Sequence, residues 1–282
     1  RFEWDKIIQP NNTFAIRTKI NSTIIQKQNF CTMRIKDGIV DKIRKKTDKR
    51  PSIDKRNPDF YVFVYIKNKK MKVFLNSSGW PLFMRGYRSK IHKAALNESL
   101  AAGILKLTNW DKNTALYDSF CGSGTFLIEA AMDAFKIPPR ILRTFYAFQN
   151  WKDFDKKLLE KIIKEEQNEI KYKEINLYGS DIVSQNIKLA KESIEKLNLT
   201  KYIKLETKDF VNIIPSENNG IFISNPPYGY RIGEMENLKN LYKKIGDHLK
   251  NNFQGFDGYI FTGNLELLKF VGLRTKRKMI LK

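Results

Sequence analysis

The stretch that decides the fold is Ser-Asn-Pro-Pro-Tyr-Gly over residues 224–229, which follows the apolar run Ile-Phe-Ile over residues 221–223. A short run of β-branched and aromatic residues predicts a buried strand. Proline has no N–H for the hydrogen-bond ladder of a central strand, so the chain has to leave the sheet after Ser224. We therefore expect Asn225 and Tyr228 to lie just beyond the end of a buried strand.

The chemistry of this stretch suits an exocyclic amino group on a nucleic-acid base. The Asn225 side-chain oxygen and the Pro226 carbonyl could accept the two amino hydrogens, which would free the nitrogen lone pair for attack. Pro226 and Pro227 hold these acceptors stiffly, as positioning catalysis requires. Tyr228 offers a ring on which a flipped base can stack. A rigid turn after a strand is the alternative, but the complete string favours methyl transfer to an amino nitrogen.

A second stretch, Asp-Ser-Phe-Cys-Gly-Ser-Gly-Thr over residues 118–125, lies between a predicted strand at 115–117 and a predicted helix at 126–134. Glycines in such a turn let the backbone approach a ligand at the helix N-terminus. The third glycine of a dinucleotide site and the lysine of a P-loop are both absent, which disfavours NAD and ATP. A cofactor with a carboxylate and an amino group fits better, with Asp118 facing the ammonium. The predicted cofactor residues here are Asp118, Cys121, Gly122, Ser123, Gly124 and Thr125.

Two more acids follow predicted strands. Asp181 comes after the predicted strand at 176–179 and could hold ribose hydroxyls. It lies much farther along the chain than the usual ~20 residues after the glycines, so we treat residues 135–175 as an insertion; a helix N-cap is the alternative role. Asp209 follows the predicted strand at 203–205 and could bond the adenine amino group, with Phe210 against the ring. The order of these motifs predicts one crevice at the carboxyl ends of parallel strands.

The first 78 or so residues predict a small α+β unit. Strands are expected at 14–18, 60–66 and 71–75, the last two joined as a hairpin through Asn68-Lys69, and a short helix at 40–46. Residues 41–56 hold eight Lys or Arg and three Asp, a net charge of +5. This stretch is the best candidate for RNA contacts, through Lys42, Lys45, Lys46 and Lys49. A solvated helix face explains the same charges equally well.

Residues 79–93 predict a linker that is rich in aromatic residues and arginine. Arg85 and Arg88 suit phosphate and base contacts, and interdomain packing is an equal alternative. Farther along, spaced apolar residues predict helices at 96–107, 187–197 and 238–249, and a charged helix is expected at 155–171. A strand is expected at 259–261, a short helix at 265–270 and a last strand at 279–281.

The composition of the chain also indicates what kind of molecule it binds. The 282-residue chain carries 52 Lys and Arg against 30 Asp and Glu, a formal net charge of +22, which favours a polyanion. A biased genome composition would also enrich lysine, but the local clustering favours nucleic acid. Two cysteines and two histidines lack the spacing of metal ligands, so we expect no metal. Without a predicted signal peptide or membrane span, we expect a cytoplasmic protein, and we favour a monomer.

Together these motifs resemble class I S-adenosylmethionine-dependent methyltransferases that methylate amino groups. The strings at 36–41, 55–59, 85–88 and 97–102 narrow the resemblance to bacterial THUMP-domain RNA methyltransferases that make N2-methylguanine in 23S ribosomal RNA. The resemblance covers nearly the whole chain. It implies an α/β fold: part of an α+β THUMP domain over 1–78, a linker over 79–93, and a Rossmann-like methyltransferase domain over 94–282. Whether that last domain lacks its final strand is left open.

The resemblance implies direct methyl transfer from S-adenosylmethionine without a metal or a covalent intermediate. Residues 118–125 would surround the methionine part, Asp181 the ribose and Asp209 the adenine, while residues 225–228 take the target base. Ribosomal RNA is the favoured partner, with no membrane. A tRNA guanine-N2 methyltransferase, a DNA or RNA adenine-N6 methyltransferase and a non-catalytic RNA-binding protein remain as alternatives.

Overall fold

The computed structural model describes residues 2–25, 27–88, 96–229 and 235–281. The chain divides into two compact units, one formed by residues 1–84 and 143–164 and the other by residues 85–142 and 165–282. The predicted domain bounds stay a prediction, since residues 89–93 of the predicted linker lie outside the described part of the chain. None of the described helices is long and apolar enough to cross a membrane.

The first unit is a four-stranded sheet with one long helix. The strand order is β2-β1-β3-β4, with β1 parallel to β2 and β3, and β3 antiparallel to β4. Its regular elements are β1 (Thr13–Asn21), α1 (Gln28–Thr47), β2 (Ser52–Ile53), β3 (Phe60–Lys67) and β4 (Lys70–Leu75). The predicted hairpin is confirmed, and Asn68 takes a left-handed conformation in its turn, with φ of 53°.

Alternation along β3 decides which face of this sheet is buried. Its burial pattern is strictly alternate from Phe60 to Ile66, which is the pattern of a strand with one face on the core. Ile39 and Ile43 of α1 belong to the same core cluster as those buried strand residues. α1 begins at Gln28, well before the predicted helix at 40–46. Cys31 and Ile35 pack against the same core cluster, so the apolar stripe continues on the N-terminal side of Gly38.

The segment 143–164 belongs to this first unit although it follows much of the second unit in sequence. Arg143 donates through Nη2 to the Ser78 carbonyl at 3.1 Å and to the Trp80 carbonyl. The Phe148 N–H donates to the Ser77 carbonyl at 3.0 Å. Trp151 packs against the core of the unit.

The second unit is built on a five-stranded parallel sheet in the order β7-β6-β5-β8-β9. Its strands are β5 (Ala115–Asp118), β6 (Leu177–Asp181), β7 (Ile203–Thr207), β8 (Gly220–Ser224) and β9 (Phe256–Ile260). Its helices are α2 (Glu98–Leu107), α3 (Thr125–Ala134), α5 (Ser184–Lys196) and α6 (Met235–Asn252), while α4 (Lys156–Asn168) crosses the boundary at residues 164 and 165. All four residues of β5 are buried, as expected for the central strand of a sheet covered on both faces.

Each strand and helix predicted for the second unit is present except the last. Residues 279–281 form no strand, which contradicts the prediction made for them. Ile280 is 71% exposed and Leu281 45% exposed, so these apolar side chains have no sheet face to pack on. A strand needs a paired neighbour for its backbone groups, and hydrophobic character alone does not supply one.

Replacing glycine by alanine should have opposite effects on stability at two positions within helices. A Cβ at Gly246 of α6 would lie 1.7 Å from the Val271 carbonyl oxygen, whereas a Cβ at Gly103 of α2 would have nothing within 4 Å. Gly103→Ala should stabilise the protein by about 0.5–1 kcal/mol through helix propensity. Gly246→Ala should lower stability by about 1–3 kcal/mol because backbone has to move. Denaturant unfolding of both variants tests this, and a stabilised Gly246→Ala would contradict the packing described for α6.

Candidate functional site

The carboxyl ends of the parallel strands gather the predicted site residues of the second unit at one edge of the sheet. Asp118 ends β5, Asp181 ends β6, and Asn225 follows β8 directly. β5 lies between β6 and β8, so the chain continues to opposite sides of it. This is the switch point at which open parallel sheets bind their ligands.

The glycine turn after β5 exposes backbone to this edge. Gly122 and Gly124 have φ of 53° and 78°, in the left-handed region that favours glycine. A Cβ at Gly122 would have nothing within 4 Å, so open space lies beside its backbone. The Gly124 N–H donates to the Cys121 carbonyl at 2.8 Å, and α3 begins directly afterwards at Thr125. The turn therefore has the shape that a ligand-binding helix N-terminus requires.

Asp118 is an unusual acid because it is almost completely buried, at 2% exposure. One carboxylate oxygen accepts a hydrogen bond from the Phe120 N–H at 3.3 Å. Burial raises the pKa of Asp118 to about 8; the Phe120 hydrogen bond opposes the shift and the charge of Asp181 adds to it. At neutral pH the Asp118 carboxyl is thus mostly protonated until a cation comes close. Burial likewise raises the pKa of the neighbouring Cys121 thiol, which makes it a poor nucleophile.

Asp181 joins the two strand ends. One of its oxygens accepts from the Gly122 N–H at 3.0 Å, and the other accepts from the Val183 N–H at 2.8 Å and from the Asn186 side chain at 3.1 Å. The N-cap of α5 is Val183 and has no side-chain capping bond, so the alternative N-cap role of Asp181 is wrong, although Asp181 supports the turn before that helix. Each carboxylate oxygen has two lone pairs, so this role leaves acceptor capacity for a ligand hydroxyl.

Asp209 and Phe210 follow β7 at the same edge. Asp209 is the N-cap of a short 3₁₀ turn at Phe210–Asn212 and accepts from the Val211 N–H at 3.3 Å. Phe210 is buried, with its ring centre 4.9 Å from that of Phe120 and 5.7 Å from that of His248. Phe210 thus forms an apolar surface beside Asp209, together with Phe120 and His248.

The Asn225 side-chain oxygen is buried, and it has no hydrogen-bond partner among the residues that the structure describes. Pro226 is buried beside it, while Pro227 is exposed. An orphaned buried acceptor costs about 1–3 kcal/mol, so natural proteins keep one where it has a use. The oxygen is an unfilled acceptor at the carboxyl end of β8.

Tyr228 is held by a residue that sequence reasoning missed. A Cβ at Gly263 would lie 2.7 Å from Cε2 of Tyr228, so the ring lies directly on the Gly263 backbone. The Phe261 N–H donates to the Ser224 carbonyl at 2.8 Å, which brings the segment after β9 beside the Asn-Pro-Pro-Tyr stretch. The available signal was a glycine between polar residues directly after a predicted strand.

The structure places the two predicted RNA-contacting arginines inside the second unit. Arg88 is 7% exposed and faces Glu98 at 3.4 Å; it also donates to the Thr125 hydroxyl at 2.6 Å. Arg85, at 10% exposure, pairs with Glu129 at 3.4 Å. Both guanidinium groups are thus engaged by carboxylates, and Arg88 supports the first residue of α3. This arrangement does not support phosphate binding by either arginine.

The predicted RNA-contacting lysines lie on and just after α1 in the first unit. Lys42, Lys45 and Lys49 are exposed. Lys46 is also exposed but forms ion pairs with Asp5 at 2.9 Å and Glu3 at 3.6 Å, which raise its pKa. All four lysines are therefore accessible from solvent.

The described residues contain no group of His, Cys, Asp and Glu side chains that could hold a metal ion. What the edge of the second unit does contain is an open glycine turn, three carboxyl groups on successive strand ends, and an orphaned amide oxygen beside a half-buried tyrosine. This set can hold a polar nucleoside-like molecule and a flat amino-bearing group, and it offers no activated nucleophile. The chemistry it favours is transfer between two bound reactants.

Comparisons with known proteins agree with this chemistry. Residues 85–282 match the family described as RMKL-like, methyltransferase domain, and residues 1–76 match the THUMP domain. A Synechocystis protein (strain PCC 6803), a candidate RNA methyltransferase by its name, is 34% identical over 99% of this chain and 73% of its own length. The ribosomal RNA large subunit methyltransferase K/L of Shewanella sp. strain W3-18-1 is 36% identical over 98% of this chain. This chain spans only 40% of that relative.

Solved structures show the same fold. A methylase candidate from Clostridium difficile 630 has a TM-score of 0.85 and 29% identity, covering 98% of this chain and 73% of its own. SMU.472 complexed with SAH has a TM-score of 0.86 at 24% identity, with the same coverage. The expected α/β fold, with a THUMP domain before a Rossmann-like methyltransferase domain, is confirmed. The chain belongs to the RMKL-like methyltransferase family that carries a THUMP domain.

Proposed function

We propose that this chain transfers a methyl group from S-adenosylmethionine to the N2 amino group of a guanine in 23S ribosomal RNA. The observation that carries the proposal is the buried, unpartnered Asn225 oxygen at the carboxyl end of β8, unpartnered among the described residues. Family membership and the name of the K/L relatives, which are ribosomal RNA methyltransferases, support the substrate. We further propose that it acts as a cytoplasmic monomer.

The residues at the edge of the second unit fit this cofactor. Backbone N–H groups of the turn at 121–125 are the proposed partners of its carboxylate, because open space lies beside Gly122. Asp118 is the proposed partner of its ammonium. Asp181 is proposed to accept from the ribose hydroxyls, and Asp209 from the adenine amino group beside the apolar surface of Phe210. When bound, the sulfonium supplies a methyl group that is already activated.

The target base is the proposed partner of Asn225, Pro226 and Tyr228. The Asn225 oxygen and the Pro226 carbonyl accept the two amino hydrogens and hold the nitrogen lone pair toward the methyl group. Tyr228 stacks on the flipped base, since its own ring is fixed from behind by Gly263. Pro227 adds stiffness to the turn. The interaction with Asn225 strengthens as the nitrogen becomes tetrahedral and positive, so it acts mainly in the transition state.

RNA is attracted by the positive charge of the chain. Four lysines are proposed to add to this attraction: Lys42, Lys45, Lys46 and Lys49. The contribution of Lys46 is smaller because its charge is already paired with Glu3 and Asp5. For Arg85 and Arg88 the arrangement favours a supporting role beneath α3 over RNA binding.

Asp118→Asn should remove a pH dependence of cofactor binding. An ammonium partner favours the carboxylate form of Asp118, so binding releases a proton and affinity rises with pH below the pKa of about 8. Between about pH 5.5 and pH 7 the wild-type affinity should rise by up to about tenfold per pH unit. Calorimetry with S-adenosylmethionine should show that rise for the wild type and a flat profile for Asp118→Asn, and a flat wild-type profile would contradict the assignment.

The same group has the opposite effect on stability. The folded-state pKa of Asp118 is raised to about 8, so the folded protein holds this proton more tightly than the unfolded chain does. Stability of the unliganded wild type should therefore fall, relative to Asp118→Asn, as pH rises from about 4 to about 8. Melting temperatures of both proteins across that range measure this difference.

Asp181→Ala should weaken S-adenosylmethionine binding by about ten- to a hundredfold, since charge-assisted hydrogen bonds are worth about 1.5–3 kcal/mol. Part of this loss of affinity comes from the glycine turn, because the Gly122 N–H loses its acceptor on Asp181. Asp181→Asn keeps one acceptor for that N–H and should weaken binding less. Calorimetry of folded variants tests this, and unchanged affinity in Asp181→Ala would exclude the ribose role.

Asn225→Ala should leave S-adenosylmethionine affinity nearly unchanged and slow methyl transfer by about a hundred- to a thousandfold. If Asn225 only shaped a turn, Ala would lower stability while the surviving protein stayed active. Removal of a buried oxygen that has no partner among the described residues predicts the reverse, a melting temperature that stays the same or rises. Single-turnover transfer beside a melting curve separates the two, and near-normal turnover in a stable variant would refute the amino-acceptor role.

A further inference from the structure

The outer face of the four-stranded sheet in the first unit has a composition that the proposed function does not explain. α1 packs its buried side chains against one face of this sheet. The opposite face carries the alternate residues of β1, β3 and β4. Strand register defines which of these side chains are neighbours.

Three cross-strand rows cross this outer face. Arg17 is paired with Phe63, and Phe63 with Phe74. In the next row Lys19 is paired with Tyr65, and Tyr65 with Lys72. The third row joins Asn21, Lys67 and Lys70, and Tyr61 extends the aromatic column of β3 beyond the first row.

The aromatic rings of this face stay outside the core. Phe74 is 47% exposed and its ring centre lies 6.1 Å from that of Phe63. Tyr61, Phe63 and Tyr65 are half-buried. The core cluster on the other side of the sheet, as far as the described residues show it, contains none of these four rings. These rings lie on the outer face of the sheet and outside the buried core cluster.

The charge of the face has one sign. The outward strand residues include five cations, Arg17, Lys19, Lys67, Lys70 and Lys72, and no acid, and residues 60–97 contain no Asp or Glu at all. At one end of the face, partial burial raises the pKa of Tyr61, and the negative charge of Asp54 adds to that rise. Asp54 already accepts from the N–H groups of Arg56 and Asn57.

We propose that this open sheet face binds unpaired RNA, with bases stacked on the column of Tyr61, Phe63, Tyr65 and Phe74 and phosphates held by the flanking cations. Base stacking on aromatic side chains combined with a positively charged track is how single strands are bound without sequence preference. A four-stranded sheet is a known platform for such stacking. The inference rests on the proposed function for the nature of the substrate, and it adds the surface and the unpaired state of the RNA.

A protein partner fits this face less well. Lysine is depleted at the centres of protein interfaces, because burying an ammonium group is costly. Here two of the three rows carry two lysines each, Lys19 and Lys72 beside Tyr65, and Lys67 beside Lys70. A polyanion whose bases can stack satisfies both kinds of side chain at once.

The test compares two pairs of charge reversals in the 282-residue chain. Lys19→Glu with Lys72→Glu changes the outer face, and Lys42→Glu with Lys45→Glu makes the same change of net charge on α1. Fluorescence anisotropy with a labelled oligouridylate at several salt concentrations gives affinity and salt slope. The outer-face pair should lower the slope by about 0.7 for each phosphate that is no longer bound, and the α1 pair should lower it less.

A second pair isolates stacking. Phe63→Leu with Phe74→Leu keeps apolar side chains and removes two rings, and it should weaken oligouridylate binding by at least about tenfold while leaving binding to a perfect RNA duplex unchanged. Calorimetry with S-adenosylmethionine and a melting curve show that the second unit and the fold are intact.

The results separate this inference from the proposed function. Wild-type protein that methylates 23S ribosomal RNA, with the outer-face variants raising the KM for RNA at unchanged kcat, supports both. Equal salt slopes for the two reversal pairs, or unchanged oligouridylate affinity in the Leu variant, would overturn the inference and leave the methyltransferase proposal standing. Wild-type protein without methyl transfer to RNA would overturn the proposed function instead.

Discussion

The central position of β5 in a wholly parallel sheet is the constraint on which the functional site depends. Parallel pairing places the carboxyl ends of β5, β6 and β8 at one edge, and the order β7-β6-β5-β8-β9 makes the chain diverge on either side of β5. The glycine turn therefore faces Asp181 on one side and Asn225 on the other. No residue at this edge has to be close to another in sequence, because the sheet brings together positions more than a hundred residues apart.

Buried polar groups concentrate at this edge, against the ordinary rule that such groups are paired. The Asp118 carboxyl is buried with one hydrogen bond, and the Asn225 oxygen, the Ser180 hydroxyl and the Ser224 hydroxyl are buried without a partner among the described residues. Each costs folding free energy. A sheet edge selected only for stability would carry apolar residues here, so the pattern indicates that stability has been given up for binding and chemistry.

The sequence was informative where a residue type is required by local backbone geometry or by strand period. Gly122, the prolines at 226 and 227, and the alternation along β3 are of this kind, and each lies where it was expected. Arg88 and Glu98 show the opposite case. A buried ion pair forms only in the folded structure, so its partners cannot be recognised from neighbouring residues in the sequence. Arg88 lies beside aromatic residues in the sequence, which suggested RNA binding, but inside the unit its charge is neutralised by Glu98. The early half of α1 was missed because Gly38 disfavours a helix that the sheet beneath stabilises, and residues 279–281 have strand composition without a strand to pair with.

The segment 143–164 has a consequence for how the chain is made. In the first unit Trp151 packs against the core and Arg143 donates to the loop at 78–80, and both emerge from the ribosome only after β5 and α3 of the second unit. Vectorial synthesis therefore delivers the start of the second unit before the last segment of the first, so the first unit is complete only after β5 and α3 have been made. The same interleaving means that neither unit corresponds to one continuous piece of polypeptide, so a cut between residues 84 and 85 removes part of the first unit along with the second.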